Sequence, residues 1–99
     1  MKQRTPAAQD MLHDLADVLA GLQDPATTED FLVDLCTPAE LEALADRWSV
    51  VPLLAQGLSY RSIHERTGVS VTTIGRVARC LDHGRGGYRA ALARHTTRA

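Results

Sequence analysis

Leu58-Ser-Tyr-Arg-Ser-Ile-His-Glu-Arg-Thr-Gly-Val-Ser-Val-Thr-Thr-Ile-Gly-Arg-Val-Ala-Arg-Cys-Leu81 reads as two short helices joined by a tight turn. Ser59 is placed to cap a first helix over Tyr60 to Thr67, and Gly68 stands where a helix stop favours positive φ. Ser70 caps the next helix. Val69, just before that cap, can pack on Ile74 four residues further on and so fix the angle at which the chain enters the helix. Ile63, Val69, Ile74 and Val77 then hold the pair together as a helix-turn-helix. At about 100° per residue, Ile74, Val77, Ala78 and Leu81 gather on one side of the second helix and Thr72, Arg76, Arg79 and His83 on the other. One face packs and the other is free to meet a polyanion, which points to double-stranded DNA read in the major groove. The residues expected to touch it are Arg61, Ser70, Val71, Thr72, Thr73, Arg76 and Arg79. His64 departs from the pattern. A small residue suits the close crossing of the helices there, so its imidazole must lean outward or widen the angle.

The net charge of −1 and pI near 6.4 hide an asymmetry. Residues 1–58 carry Lys2, Arg4 and Arg47 against ten acids, net −7, and residues 59–99 carry eight arginines against Glu65 and Asp82, net +6. A DNA-contacting half needs cations that displace counterions from phosphates, and an acidic remainder limits indiscriminate adhesion. No lysine follows Lys2. Arginine is the residue suited to bidentate phosphate and guanine contacts, so the bias favours recognition over mere solvation of helix surfaces.

At 99 residues the chain has room for one domain, and so short a chain gains from enlarging its core by self-association. No stretch approaches the roughly 18 apolar residues of a membrane helix. The opening Met-Lys-Gln-Arg-Thr-Pro leads into Asp10 and Asp14 rather than an apolar signal region, so a cytoplasmic protein is expected. Cys36 and Cys80 form no Cys-x-x-Cys pair and read as buried or half-buried reduced thiols. His13, His64, His83 and His95 show no ligand spacing, so neither a metal nor another cofactor is expected. No nucleophile and base fall at a meaningful spacing, and no glycine-rich phosphate loop follows a strand. The chain is not expected to be an enzyme and has no candidate catalytic residue.

The rest of the pattern is helical. Thr5-Pro6 predicts a cap and first helical residue, after which Met11, Leu15, Val18 and Leu22, with Leu12 and Leu19 beside them, form a stripe to about Gly21. Asp24-Pro25 breaks it, and Thr27 or Thr28 is expected to cap a short helix carrying Phe31, Leu32 and Leu35. Thr37-Pro38-Ala39-Glu40 is the strongest helix start, followed by Leu41, Leu44, Trp48, Val51 and Ala55 at helical spacing. Pro52 predicts a kink or an early end, and Gly57 closes the helix. His83-Gly-Arg-Gly-Gly87 predicts a flexible turn before a last helix from Tyr88 to about Arg94, with Ala91 and Leu92 inward and disorder beyond. The expected fold is all-α, about six helices in one domain over 1–99: dimerisation helices in 1–57, the helix-turn-helix in 58–82, and the glycine turn with the last helix in 83–94.

Three stretches carry a resemblance: Leu35-Cys-Thr-Pro-Ala-Glu-Leu-Glu-Ala-Leu-Ala-Asp-Arg47, the helix-turn-helix through Thr73-Ile-Gly-Arg76, and Cys80-Leu-Asp-His-Gly-Arg-Gly-Gly-Tyr88. Together they resemble the tryptophan-repressor superfamily, in its YerC/YecD branch, over nearly the whole chain. The resemblance implies an intertwined homodimer, N-terminal helices interlocked and two reading heads flanking the core. It also implies an effector position, since in the tryptophan repressor the amino acid wedges between the third helix and the reading helix. The matching positions include Thr37, Arg47, Arg76, Val77 and Cys80. The threonine and both arginines are kept. The tryptophan repressor has glycine where Val77 stands and serine where Cys80 stands, so indole is expected to clash and tryptophan is not the expected ligand. Arg47 is then expected to pair with an acid such as Asp46 or Asp17.

These readings converge on a dimeric, sequence-specific DNA-binding transcription regulator, expected to be a repressor because nothing remains of the chain to recruit polymerase. Two alternatives stand beside it. One is a repressor gated by a small carboxylate or amino acid. The other is a helical protein-interaction module with a vestigial helix-turn-helix, which would place hydrophobic residues where Thr72, Arg76 and Arg79 stand.

Overall fold

The structure, a computed structural model, describes residues 6–98 and their side chains through 95. Six α-helices follow one another: α1 Pro6–Gly21, α2 Pro25–Leu35, α3 Pro38–Ala55, α4 Tyr60–Thr67, α5 Val71–His83 and α6 Gly87–Arg98, with no strand among the described residues. The all-α expectation holds. The chain divides between Pro38 and Ala39 into two compact units.

The first unit contains α1 and α2. Pro6 opens α1, and the expected Thr5 cap lies outside the described residues. The cap of α2 is Asp24, not Thr27 or Thr28: its extended backbone (φ −119°, ψ 147°) precedes Pro25 at the first helical position, and its carboxylate accepts from the Thr27 amide at 2.9 Å. Both threonines point back to it, the Thr27 hydroxyl donating to the carboxylate and the Thr28 hydroxyl to the Asp24 carbonyl, each at 2.9 Å. The Thr27 amide, then its hydroxyl, hold the Asp24 carboxyl below its ordinary value. Neither helix buries a single side chain completely.

The second unit holds the core: Val50, Val51, Ile63, Val69, Ile74, Val77 and Leu81, flanked by half-buried Trp48, Leu53, Leu54, Leu58, Tyr88 and Leu92. Each large side chain buried here contributes roughly 1.5–3 kcal/mol. In α3 the buried pair is Val50 and Val51, whereas Leu44 and Ala55 of the expected stripe stay exposed. Pro52 neither ends the helix nor stops its bonding, for α3 runs on to Ala55 and the Gln56 amide reaches the Pro52 carbonyl at 3.1 Å. Closure follows at Gly57 (φ 84°), where the Gly57 amide bonds Leu54 at 3.0 Å and the Leu58 amide bonds Leu53 at 3.2 Å.

α5 is joined to α6 by a turn in which Gly84 donates its amide to the Cys80 carbonyl at 2.8 Å. A Cβ at Gly84 would run into that same carbonyl oxygen. α6 continues through Arg98 rather than fraying beyond Arg94. The His95 ring meets Trp48 edge-on, 6.1 Å between centroids at 83°, and so anchors the helix past Arg94. Tyr88 and Leu92, one turn apart, are its inward residues, and Ala91 lies exposed. Cys80 is exposed and Cys36 half-buried, which corrects the expectation for Cys80.

Candidate nucleic-acid interface

The turn between α4 and α5 is specified atom by atom. Ser59 caps α4 by accepting from the Ser62 amide at 3.1 Å, and Gly68 ends it at φ 76°, its amide on the His64 carbonyl at 2.8 Å. The Thr67 hydroxyl donates to the Ile63 carbonyl at 2.8 Å and accepts from the Val69 amide at 3.1 Å. His64 leans outward, as the crowding requires, and closes the turn. Its Nδ1–H donates to the Val69 carbonyl at 2.7 Å, a tautomer fixed by an acceptor that carries no proton. Ser70 then caps α5, accepting from the Thr73 amide at 3.2 Å and donating to the Thr73 hydroxyl at 3.0 Å.

α5 buries Ile74, Val77 and Leu81 and turns Val71, Thr72, Arg76, Arg79 and His83 to solvent. Ser70 is also exposed, while Thr73 is half-buried with its hydroxyl committed to the cap. Among the described residues neither Arg76 nor Arg79 is in an ion pair. Arg61 extends from the first turn of α4 and meets Glu65 at 3.4 Å, with side-chain exposure of 90% and 66%. Such an exposed pair is worth little and yields readily to a phosphate.

The expected effector residues divide differently. Thr37 belongs to the first unit and is exposed, whereas half-buried Arg47 and exposed Arg76 belong to the second. Arg47 makes no ion pair with Asp46. Val77 is 1% exposed and part of the core, so its branched side chain fills space on the inner side of α5. An open depression of about 250 Å³ lies along Arg76, Arg79, Cys80, His83 and Gly84.

Two features escaped the sequence. Tyr60, read only as the first residue of a helix, lays its ring beside Gly75 of α5, and the two border a depression with Ala78, Arg79, Asp82 and His83. Arg89 of α6 donates from Nε to the Leu81 carbonyl at 3.1 Å and meets the Asp82 carboxylate at 3.3 Å. The spacing of seven residues, across a glycine turn, gives no local signal for that pair. Among the described residues no group of three or more His, Cys, Asp or Glu is placed to hold a metal, and no helix is long and apolar enough to cross a membrane.

A buried-faced helix held across a capped turn, with free arginines on its outer side, defines a helix-turn-helix protein. Residues 10–96 match the model of the Trp repressor protein family, and the chain belongs to that family. It is 40% identical over 83 residues to the uncharacterized protein YerC of Bacillus subtilis strain 168, covering 84% of this chain and 80% of that protein. A crystal structure of a Trp repressor candidate from Staphylococcus aureus is similar with a TM-score of 0.82 at 33% identity, over 88% of this chain and 87% of that one. A TrpR-like protein from Eubacterium eligens ATCC 27750 gives 0.76 at 32% identity, over 94% and 92%. The chain thus falls in the YerC-like branch, in a family of regulators rather than enzymes.

Proposed function

We propose that this chain is a sequence-specific DNA-binding transcription regulator, a cytoplasmic repressor that acts as a homodimer and lays α5 in the major groove. The observation that carries the reading is the outer face of α5, where Thr72, Arg76 and Arg79 are exposed and both guanidinium groups are unpaired among the described residues. Hydrophobic residues there would have suited a partner protein. Arg76 is the base-reading residue, flanked by Val71, Thr72 and Arg79, with Ser70 and Thr73 shaping the start of the helix and Arg61 on a phosphate. Family membership supports the same class. The test is selection of duplexes from a random pool, followed by fluorescence anisotropy on the selected site at several salt concentrations. Enrichment of one site with steep salt dependence is expected. Failure to enrich any sequence overturns the reading.

The depression along Arg76, Arg79, Cys80 and His83 favours a second reading, a repressor gated by a small carboxylate. That reading requires operator affinity to rise when the carboxylate is added.

A further inference from the structure

The open depression of about 360 Å³ lined by Tyr60, Gly75, Ala78, Arg79, Asp82 and His83 joins the first residue of α4 to the exposed side of α5. Glycine is among the poorest helix formers, yet Gly75 lies mid-helix in α5 with an ordinary helical backbone. Among the described residues nothing demands it. A Cβ there would meet only the Tyr60 ring, at 3.8 Å, which is ordinary van der Waals contact. A glycine that the fold does not require is explained by something outside the fold that comes close to the helix backbone. The lining says what kind of group that is. Arg79 supplies an unpaired cation and Tyr60 a hydroxyl. The one acid, Asp82, is already held by Arg89 at 3.3 Å, which offsets its charge.

We propose that a sugar-phosphate group of bound duplex DNA seats in this depression, its phosphate held by the Tyr60 hydroxyl and the Arg79 guanidinium, with Gly75 leaving the space for it. The inference rests on the DNA-binding reading above. In helix-turn-helix docking the first helix crosses the backbone at the wall of the groove that the second helix occupies, which is where this depression lies. Phosphate contacts fix register and carry no sequence information. Tyr60, Gly75 and Arg79 therefore set affinity for any duplex, and Arg89 is a positioning residue that keeps Asp82 from repelling the phosphate.

The test uses the full chain with two fluorescein-labelled duplexes, one selected by the protein from a random pool and one of scrambled sequence. Tyr60→Phe, which removes only the hydroxyl, is expected to weaken both by about three- to tenfold. Gly75→Ala is expected to weaken both by about fivefold or more, with a melting temperature equal to or above the wild type. Asp82→Asn tightens both, Arg89→Ala loosens both, and the paired change of Asp82→Asn with Arg89→Ala returns affinity towards the wild type. Wild-type affinity in both Tyr60→Phe and Gly75→Ala, with binding by the parent intact, overturns the inference alone. Loss confined to the selected duplex also overturns it, since that would make Tyr60 a base contact. No binding by the parent protein overturns the DNA reading and this inference with it.

Discussion

Arg61, Arg76 and Arg79 share a side chain and a solvent-facing position, but their settings assign them different work. Arg76 projects from the middle of α5 beside Thr72, so Arg76→Ala is expected to lower affinity for the selected site by about 1–3 kcal/mol and relax discrimination at one base pair, with little change in melting temperature. Arg61 stands on α4, where the proposed docking brings the DNA backbone. Its replacement by alanine is expected to weaken every sequence alike and flatten the slope of log affinity against log salt by about 0.9, measured by anisotropy titration. Val77 makes the opposite kind of statement. Its side chain is 1% exposed, and forcing a ring between it and a neighbouring helix costs on the order of 1–3 kcal/mol. A ligand shifts an equilibrium only by its preference for one state, so one that fits neither shifts nothing. Millimolar L-tryptophan is expected to give no saturable heat by calorimetry and no change in site affinity. A micromolar dissociation constant with tighter DNA binding would restore Thr37, Arg47 and Arg76 as an amino-acid site.

α4 and the start of α5 were legible to the residue because each opens on a serine cap with an amide three residues on and confines its buried residues to one arc, and α4 also ends in a left-handed glycine. α3 was legible in extent but not in face. It is apolar on more than one side, so periodicity could not say that Val50 and Val51, rather than Leu44 and Ala55, would be buried. The start of α2 was misread because three capping residues compete within five positions, and Pro25 settles the contest for Asp24 by taking the first helical position. That cap titrates. A carboxyl lowered by folding stabilises the helix above the unfolded value of 3.8, and the contribution fades as pH falls through the lower folded value. The Asp24 carboxyl resonance is expected to titrate below 3.8 with the Thr27 amide shift following it, and Asp24→Asn removes that shared transition. The turn between α5 and α6 makes a steric demand instead. Gly84→Ala drives a methyl into the Cys80 carbonyl and is expected to cost about 1–3 kcal/mol by urea denaturation, loosening α6 and the Arg89–Asp82 pair before α4 and α5.

For the whole molecule, the unequal burial of the two units matters more than any one helix. Among the described residues seven apolar side chains are buried, every one of them from Val50 onward, while α1 and α2 bury none. The stripe read from Met11 to Leu22 is only partly covered, with Met11 71% and Val18 42% exposed and Leu15, Leu19 and Leu22 half-buried. That much could not be read from sequence, because an apolar stripe looks the same whether its cover comes from the same chain or another. Several large side chains, each worth roughly 1.5–3 kcal/mol on burial, make a second copy of this surface the simplest cover, and two-fold symmetry makes such a patch self-complementary. Sedimentation equilibrium is therefore expected to give a dimer at micromolar concentration. Leu15→Asp, at a half-buried position, is expected to give monomer or unfolded chain, an outcome that does not separate interface from fold. Met11→Asp separates them. So exposed a side chain supports little within its own protomer, so the charge there is expected to raise the dimer dissociation constant at least tenfold, about 1.4 kcal/mol, while helical circular dichroism is kept at concentrations where dimer persists. In the proposed mode of binding, DNA affinity is expected to fall with the dimer, since one reading head alone would hold half of the contacts. A wild-type chain that sediments as a folded monomer, or a Met11→Asp dimer as tight as the parent, would mean that α1 is covered by something other than its own copy.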